Sequence, residues 1–272
     1  MSISNTITEN ISSYHVQSID PKRQDRYMLC LRFVKQVASD FTDINSSHAD
    51  QLFDQLGIVA CCIDSYVDEL PMQSKYLLQD TFAEFFDSLR SIDDVHQFQM
   101  MCLNYRTAEL DMAEQQCSYH SLYSFYNKCR DVGLLDELKD FSMCILNCSI
   151  LKHQAKNAKD MLTAVQVEGK ASVEFLNLYL IKSGICKENS AAVNMKKYFY
   201  KLERIINLSD QLWDSTMDKK EGIIQLPLNL SFYAEMGSEL LGAIIKTWIR
   251  HPYHFTKHFF QFGSRALALE LK

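Results

Sequence analysis

The sequence predicts an all-α protein of roughly ten helices in one domain, and three observations carry that reading. Only 8 glycines and 4 prolines occur among 272 residues, too few turn formers for a many-stranded sandwich or barrel. From about Arg23 onward apolar residues recur three and four apart, as in Tyr27, Cys30, Leu31, Val34, Val37 and Ala38, which is the spacing of a core-facing helix. Between the periodic segments lie only short punctuators, such as Asp131-Val132-Gly133 and the stretch from Lys182 to Ser190. No linker rich in proline or serine divides the chain, so the segments are expected to pack together.

Taken in order, a first helix is expected over about 23–42. Ser47 is positioned to cap the second, which runs through Leu52, Leu56, Val59 and Ala60 to Glu69 and stops at Leu70-Pro71, because proline cannot continue a helix. The same periodicity places further helices at about 74–91, 93–116, 119–131, 134–154, 157–167, 170–184, 190–219, 228–250 and 253–270. Residues 1–19 are polar and aperiodic and are expected to form a disordered tail, with the domain covering 20–272.

Composition excludes several functions. At 47% hydrophobic and 23% charged residues the chain has ordinary soluble usage. Its net charge of -6 provides no basic footprint for nucleic acid. Nine cysteines, an odd number at low density and without paired zinc spacing, read as reduced, mostly buried thiols. The N-terminus lacks a basic region followed by an apolar one, and no stretch approaches the roughly 20 apolar residues of a membrane span. A soluble, cytoplasmic protein is expected, with no Walker, Rossmann or nucleophile-elbow pattern.

Two acidic clusters stand where helix electrostatics disfavours them. The C-terminal end of a helix is partially negative and repels carboxylates by about 0.3–1 kcal/mol each, yet Asp64, Asp68 and Glu69 close the second helix. Asp210, Asp214 and Asp218 then occupy i, i+4 and i+8 of a later helix and form one stripe, with Lys219 and Lys220 immediately after. A charged stripe is also the mark of a solvated helix face. Two clusters in one helical chain instead suit a site in which facing acidic helices hold metal ions. Hard oxygen donors select Mg²⁺, which binds through one or two carboxylates plus substrate phosphates. A phosphate or diphosphate substrate is therefore expected.

Those residues resemble the squalene/phytoene synthase family of the class I isoprenoid synthases. Residues 64–69, DSYVDE, are similar to the family's first aspartate-rich motif. Residues 209–227, SDQLWDSTMDKKEGIIQLP, are similar to its second, without a gap. Asp214 and Asp218 fall on the two family aspartates, Lys220 on an arginine, and Gly222, Leu226 and Pro227 on their equivalents.

The resemblance implies a helical bundle around a central apolar cavity, with the two acidic motifs facing each other at its mouth. Asp64, Asp68, Glu69, Asp210, Asp214 and Asp218 would hold two or three Mg²⁺ ions, and Lys170, Lys219 and Lys220 would contact diphosphate. Lys170 is included because Gly169-Lys170-Ala171-Ser172 is similar to a lysine element of chain-elongating prenyl synthases. Asp64, Asp68, Asp214 and Asp218 would carry catalysis, with Tyr66, Phe175, Tyr179 and Trp213 as aromatic faces of the cavity.

The expected reaction is Mg²⁺-dependent ionisation of a prenyl diphosphate of 15 or 20 carbons, followed by head-to-head condensation. Cyclisation of a single diphosphate is the alternative, because Cys61, Cys62 and Trp213 stand where the family commonly has arginines. A non-catalytic helical interaction protein is the third reading. A monomer or homodimer is expected. The tail with His251, Tyr253, His254, Lys257 and His258 among Trp248, Phe255, Phe259, Phe260 and Phe262 suits either a packed helix or peripheral contact with a membrane.

Overall fold

The computed structural model describes residues 21–42, 44, 46–70, 72–103, 112–222 and 224–270. Ten helices are described: α1 (Pro21–Phe41), α2 (Ser46–Glu69), α3 (Met72–Leu89), α4 (Val95–Leu103), α5 (Met112–Asp131), α6 (Leu135–Gln154), α7 (Ala158–Lys182), α8 (Ser190–Glu221), α9 (Leu230–Arg250) and α10 (Pro252–Glu270). No strand occurs among the described residues. The expected tail, 1–19, lies outside them.

Local chemistry sets the ends of these helices. Asn157, Asn189 and Asn229 have extended backbone, and each accepts the amide three residues on, from Asp160, Ala192 and Phe232. Each bond satisfies one amide that an uncapped helix would leave without a partner. Asp160 in turn accepts from the Lys156 amide at 3.0 Å and from the Asn157 side-chain amide at 3.0 Å, satisfying donors just outside the helix. At the other end of α8, Gly222 adopts φ 79°, a left-handed conformation that costs glycine nothing.

One expected boundary is wrong. Segments 157–167 and 170–184 are a single helix, α7, because Gly169 in its middle is a packing residue and no break. Gly169 is buried, and a Cβ there would collide with the carboxylate of Glu203 on α8. The glycine leaves room for the Glu203 carboxylate to lie against α7. The segment expected at 93–116 is helical over Val95–Leu103 and again from Met112, and residues 104–111 lie outside the described residues. α5 begins at Met112.

Successive helices pack on one another through α6·α7, α7·α8, α8·α9 and α9·α10, and α10 closes back on α1. A buried apolar cluster runs from Phe33 of α1 to Phe255 of α10. A polar tie secures that closure: fully buried His258 bonds Tyr198 Oη through Nδ1 (3.1 Å) and Asp40 through Nε2 (2.8 Å). Lys257 meets the same carboxylate at 2.5 Å. Burial raises the Asp40 carboxyl, but the hydrogen bonds from Lys257 and His258 outweigh it and hold the group below its ordinary range.

Candidate functional site

The second acidic motif lies on the last three turns of α8. Its buried side runs through Leu208, Gln211 and Ser215, so Asp214 and Asp218 emerge half-buried at the edge of that face and Asp210 emerges exposed. Gln211 Nε2 donates to Asp218 Oδ2 at 3.4 Å. Trp213, expected on a cavity wall, stands 70% exposed, because it lies on the opposite side of the helix from Gln211 and Ser215. Lys219 turns back to donate to the Leu226 carbonyl at 2.7 Å, while the Ile224 amide returns to the Asp218 carbonyl at 3.3 Å. These bonds fold the Gly222–Leu226 segment against the end of the acidic stripe. Lys220 and Lys170 are exposed.

The first motif closes α2. The helix through Asp64, Tyr66, Asp68 and Glu69 is described, but those side chains lie outside the description. Its neighbours locate it. Immediately after Glu69 and Leu70, α3 starts at Met72, and two of its first residues reach the C-terminal end of α6. Lys75 Nζ donates to Ser149 Oγ at 2.9 Å, and Gln154 Nε2 donates to Tyr76 Oη at 2.8 Å. The same end of α6 reaches the segment after α8, where His153 Nε2 and the Gln225 amide nitrogen are 2.9 Å apart. The C-terminal turns of α2 and α8 therefore lie at one end of the bundle, connected through the C-terminal turn of α6.

Sequence reasoning passed over two groups, one at this end and one midway along α8. Lys75 is only 3% exposed and lies in the first turn of α3, the helix that follows Glu69. The signal was present, since Lys75, Leu78 and Phe82 share the core-facing stripe of α3. Glu203 lies on the same face of α8 as Asp210 and Asp214, at i−7 and i−11, and is joined to Asn207 by a hydrogen bond. Burial, reinforced by nearby Glu168, pushes the Glu203 carboxyl up to about 8. Lys152 of α6 pairs with Glu168 at 2.5 Å.

Because the folded-state pKa of Glu203 exceeds the ordinary value, the fold favours its protonated form. That contribution is complete below about pH 4.3 and is lost as pH rises toward about 8. Glu203→Gln, which keeps the shape without the charge, should therefore raise the melting temperature more at pH 8.5 than at pH 5. The expected difference is about 2–4 °C per kcal/mol recovered. Thermal melts of both proteins at both pH values check this, and an equal shift at the two would contradict it.

The remaining aromatic candidates are core residues. Phe175 stacks on Phe141 with centroids 4.7 Å apart and an interplanar angle of 9°. Tyr179 packs on Phe125 at 5.4 Å. Together they fill the junction of α5, α6 and α7. A separate cleft of about 370 Å³ between α1 and α2 is lined by Arg32, Lys35, Asp50 and Asp54. It lies near the opposite end of α2 from Asp64–Glu69, roughly 20 Å along the helix at 1.5 Å per residue, and its charges pair as Arg32–Asp54 and Lys35–Asp50.

Hard carboxylates one helical turn apart and half open to water suit Mg²⁺, which retains several waters. Adjacent pairs on α8 fit this, whereas Asp210 and Asp218 are about 12 Å apart along the axis and cannot share one ion. Among the described residues no three His, Cys, Asp or Glu side chains converge as a ready-made metal cage. The donors of α2 are not among the side chains described. No protein-family description, curated protein or solved structure matches the chain.

Proposed function

We propose that this protein ionises a prenyl diphosphate of 15 or 20 carbons in a Mg²⁺-dependent reaction. The reading is supported most by two bonds from the start of α3, which follows the first motif, to the last turns of α6, and by one from the segment after the second motif to the same end of α6. Asp64, Asp68 and Glu69 on one side and Asp210, Asp214 and Asp218 on the other are the residues that would hold the metal. Bound there, Mg²⁺ supplies Lewis-acid stabilisation of the negative charge on departing diphosphate.

The chain contributes the rest. Lys219 and Lys220 follow Asp218 directly, and Lys75, early in the helix that follows the first motif, is buried and donates to Ser149. Cations held at a partly desolvated site stabilise charge as it develops on the leaving oxygen. The C–O bond breaks, diphosphate leaves with the electron pair, and the allylic cation remains against apolar helix faces that exclude water. In condensation the double bond of a second prenyl diphosphate attacks that cation and a proton is lost, giving a diphosphate of twice the carbon number. Departure of this second diphosphate and loss of a second proton would then give the hydrocarbon. This is the reaction the ungapped second motif favours.

Cyclisation is the second reading, and the cations favour it. Lys152 is paired with Glu168, Lys219 is bonded to Leu226, and Trp213 stands exposed where an arginine would serve a second diphosphate. Ring closure and loss of a proton require no nicotinamide. Incubation with farnesyl and geranylgeranyl diphosphate and Mg²⁺, with mass spectrometry of the organic phase, separates the two. A hydrocarbon of twice the substrate's carbon number establishes condensation, and a cyclic product of unchanged carbon number establishes cyclisation. No product from either substrate would favour a non-catalytic interaction protein.

A further inference from the structure

Helix α9 buries one apolar face and leaves a second in water. Phe232, Met236, Ala243 and Thr247 are buried against the bundle. On the other side Leu241, Ile245, Trp248 and Ile249, at i, i+4, i+7 and i+8, are exposed, Ile249 by 67%. A helix that is hydrophobic on two sides normally has both covered, and a contiguous exposed apolar patch marks an interaction surface.

The two edges of this face identify what covers it. Glu235, Glu239, Lys246 and Arg250, at i, i+4, i+11 and i+15, line one edge, with the acids in the first half of the helix and the cations in the second. Gly237 and Trp248, also eleven residues apart, line the other edge, and the space beside Gly237 is open. In an antiparallel pair of helices related by a two-fold axis, each edge meets the same edge of the second copy running the other way. Placed between Gly242 and Ala243, that axis sets Glu235 level with Arg250 of the second copy, Glu239 with Lys246, and Gly237 with Trp248, because all three pairs are centred on one point. A single register therefore serves both edges: each charge meets its opposite, and each indole faces a residue without a side chain. Glu235, Lys246 and Arg250 are exposed, and Glu239, although joined to Arg204 at 2.6 Å, keeps 43% of its side chain exposed. A lipid surface fits less well. No described helix is long and apolar enough to cross a membrane, and an anionic bilayer would attract Lys246 and Arg250 while repelling Glu235 and Glu239 on the same edge.

We propose that the protein forms a two-fold symmetric dimer through the outer face of α9, with Leu241, Ile245 and Ile249 as its apolar contact. The ion pairs Glu235–Arg250 and Glu239–Lys246, each formed twice across the axis, set its register. The inference rests on exposure, charge order and spacing and stands apart from the enzymatic reading.

Light scattering of the full chain over a concentration series tests it, carried to about 100 µM, well above a micromolar dissociation constant. The parent should rise from monomer to dimer mass, and Ile245→Glu should hold it at monomer mass. Glu235→Arg and Arg250→Glu should each weaken the dimer by about tenfold, since each reversal acts twice across the axis, and added salt should reduce that loss. An equimolar mixture of these two variants should recover the parent's affinity, because in the mixed pair every charge again meets its opposite. Leu77→Glu, at an exposed apolar position on α3, should leave the dimer unchanged, and circular dichroism of every variant should match the parent. A folded parent that stays monomeric throughout would overturn the proposal, and one that instead floats with anionic vesicles would assign the face to lipid. A dimer that Ile245→Glu leaves intact, or charge variants that the mixture does not rescue, would overturn it as well.

Discussion

Replacing Asp214 by asparagine is expected to lower Mg²⁺-dependent release of diphosphate from a prenyl diphosphate by at least about a hundredfold while leaving the protein folded. The substitution keeps the side chain's shape and removes the anionic oxygen that a hard cation requires. Asp214 is half-buried at the centre of the acidic stripe, one turn from both Asp210 and Asp218, so it belongs to either adjacent pair. Helix propensity changes little between Asp and Asn. The outcome to look for is a collapse in turnover with a melting temperature close to that of the parent. Turnover that persists would remove Asp214 from the metal-binding set and, with it, the assignment of the second motif.

The largest effect on stability is expected from Phe175→Ala, at about 3–5 kcal/mol. Phe175 is in ring contact with Phe141, Phe125 and Tyr179, which joins α5, α6 and α7 at one point. Truncation removes the stacking and leaves a void that the three helices close only in part. Urea denaturation should show a lower midpoint with an unchanged slope. A loss below about 1 kcal/mol would mean that the ring borders open space and is not packed in the core.

The sequence displayed most of the helices because their core faces repeat at helical spacing and their ends carry ordinary stop signals, as at Pro71 and Gly222. It misled at Gly169. A glycine inside an apolar pattern reads locally as a break, and only the Glu203 carboxylate on another helix explains its presence. The Asp210, Asp214 and Asp218 stripe was legible because all three residues lie on one helix, where spacing fixes geometry. Lys75 and Glu203 were not singled out, since a lone lysine or glutamate becomes notable only when burial is known. Phe175 and Tyr179 were legible as inward-facing, but periodicity cannot distinguish a cavity wall from a packed core. Likewise the apolar outer face of α9 merges in the sequence with its buried face.

The most direct test is a single assay: release of inorganic diphosphate from farnesyl or geranylgeranyl diphosphate by the purified chain, measured with Mg²⁺ and with Mg²⁺ chelated. The site described here predicts multiple-turnover release with Mg²⁺ and its loss on chelation, restored when Mg²⁺ is added back. A folded protein that releases no diphosphate from either substrate at any Mg²⁺ concentration would contradict it.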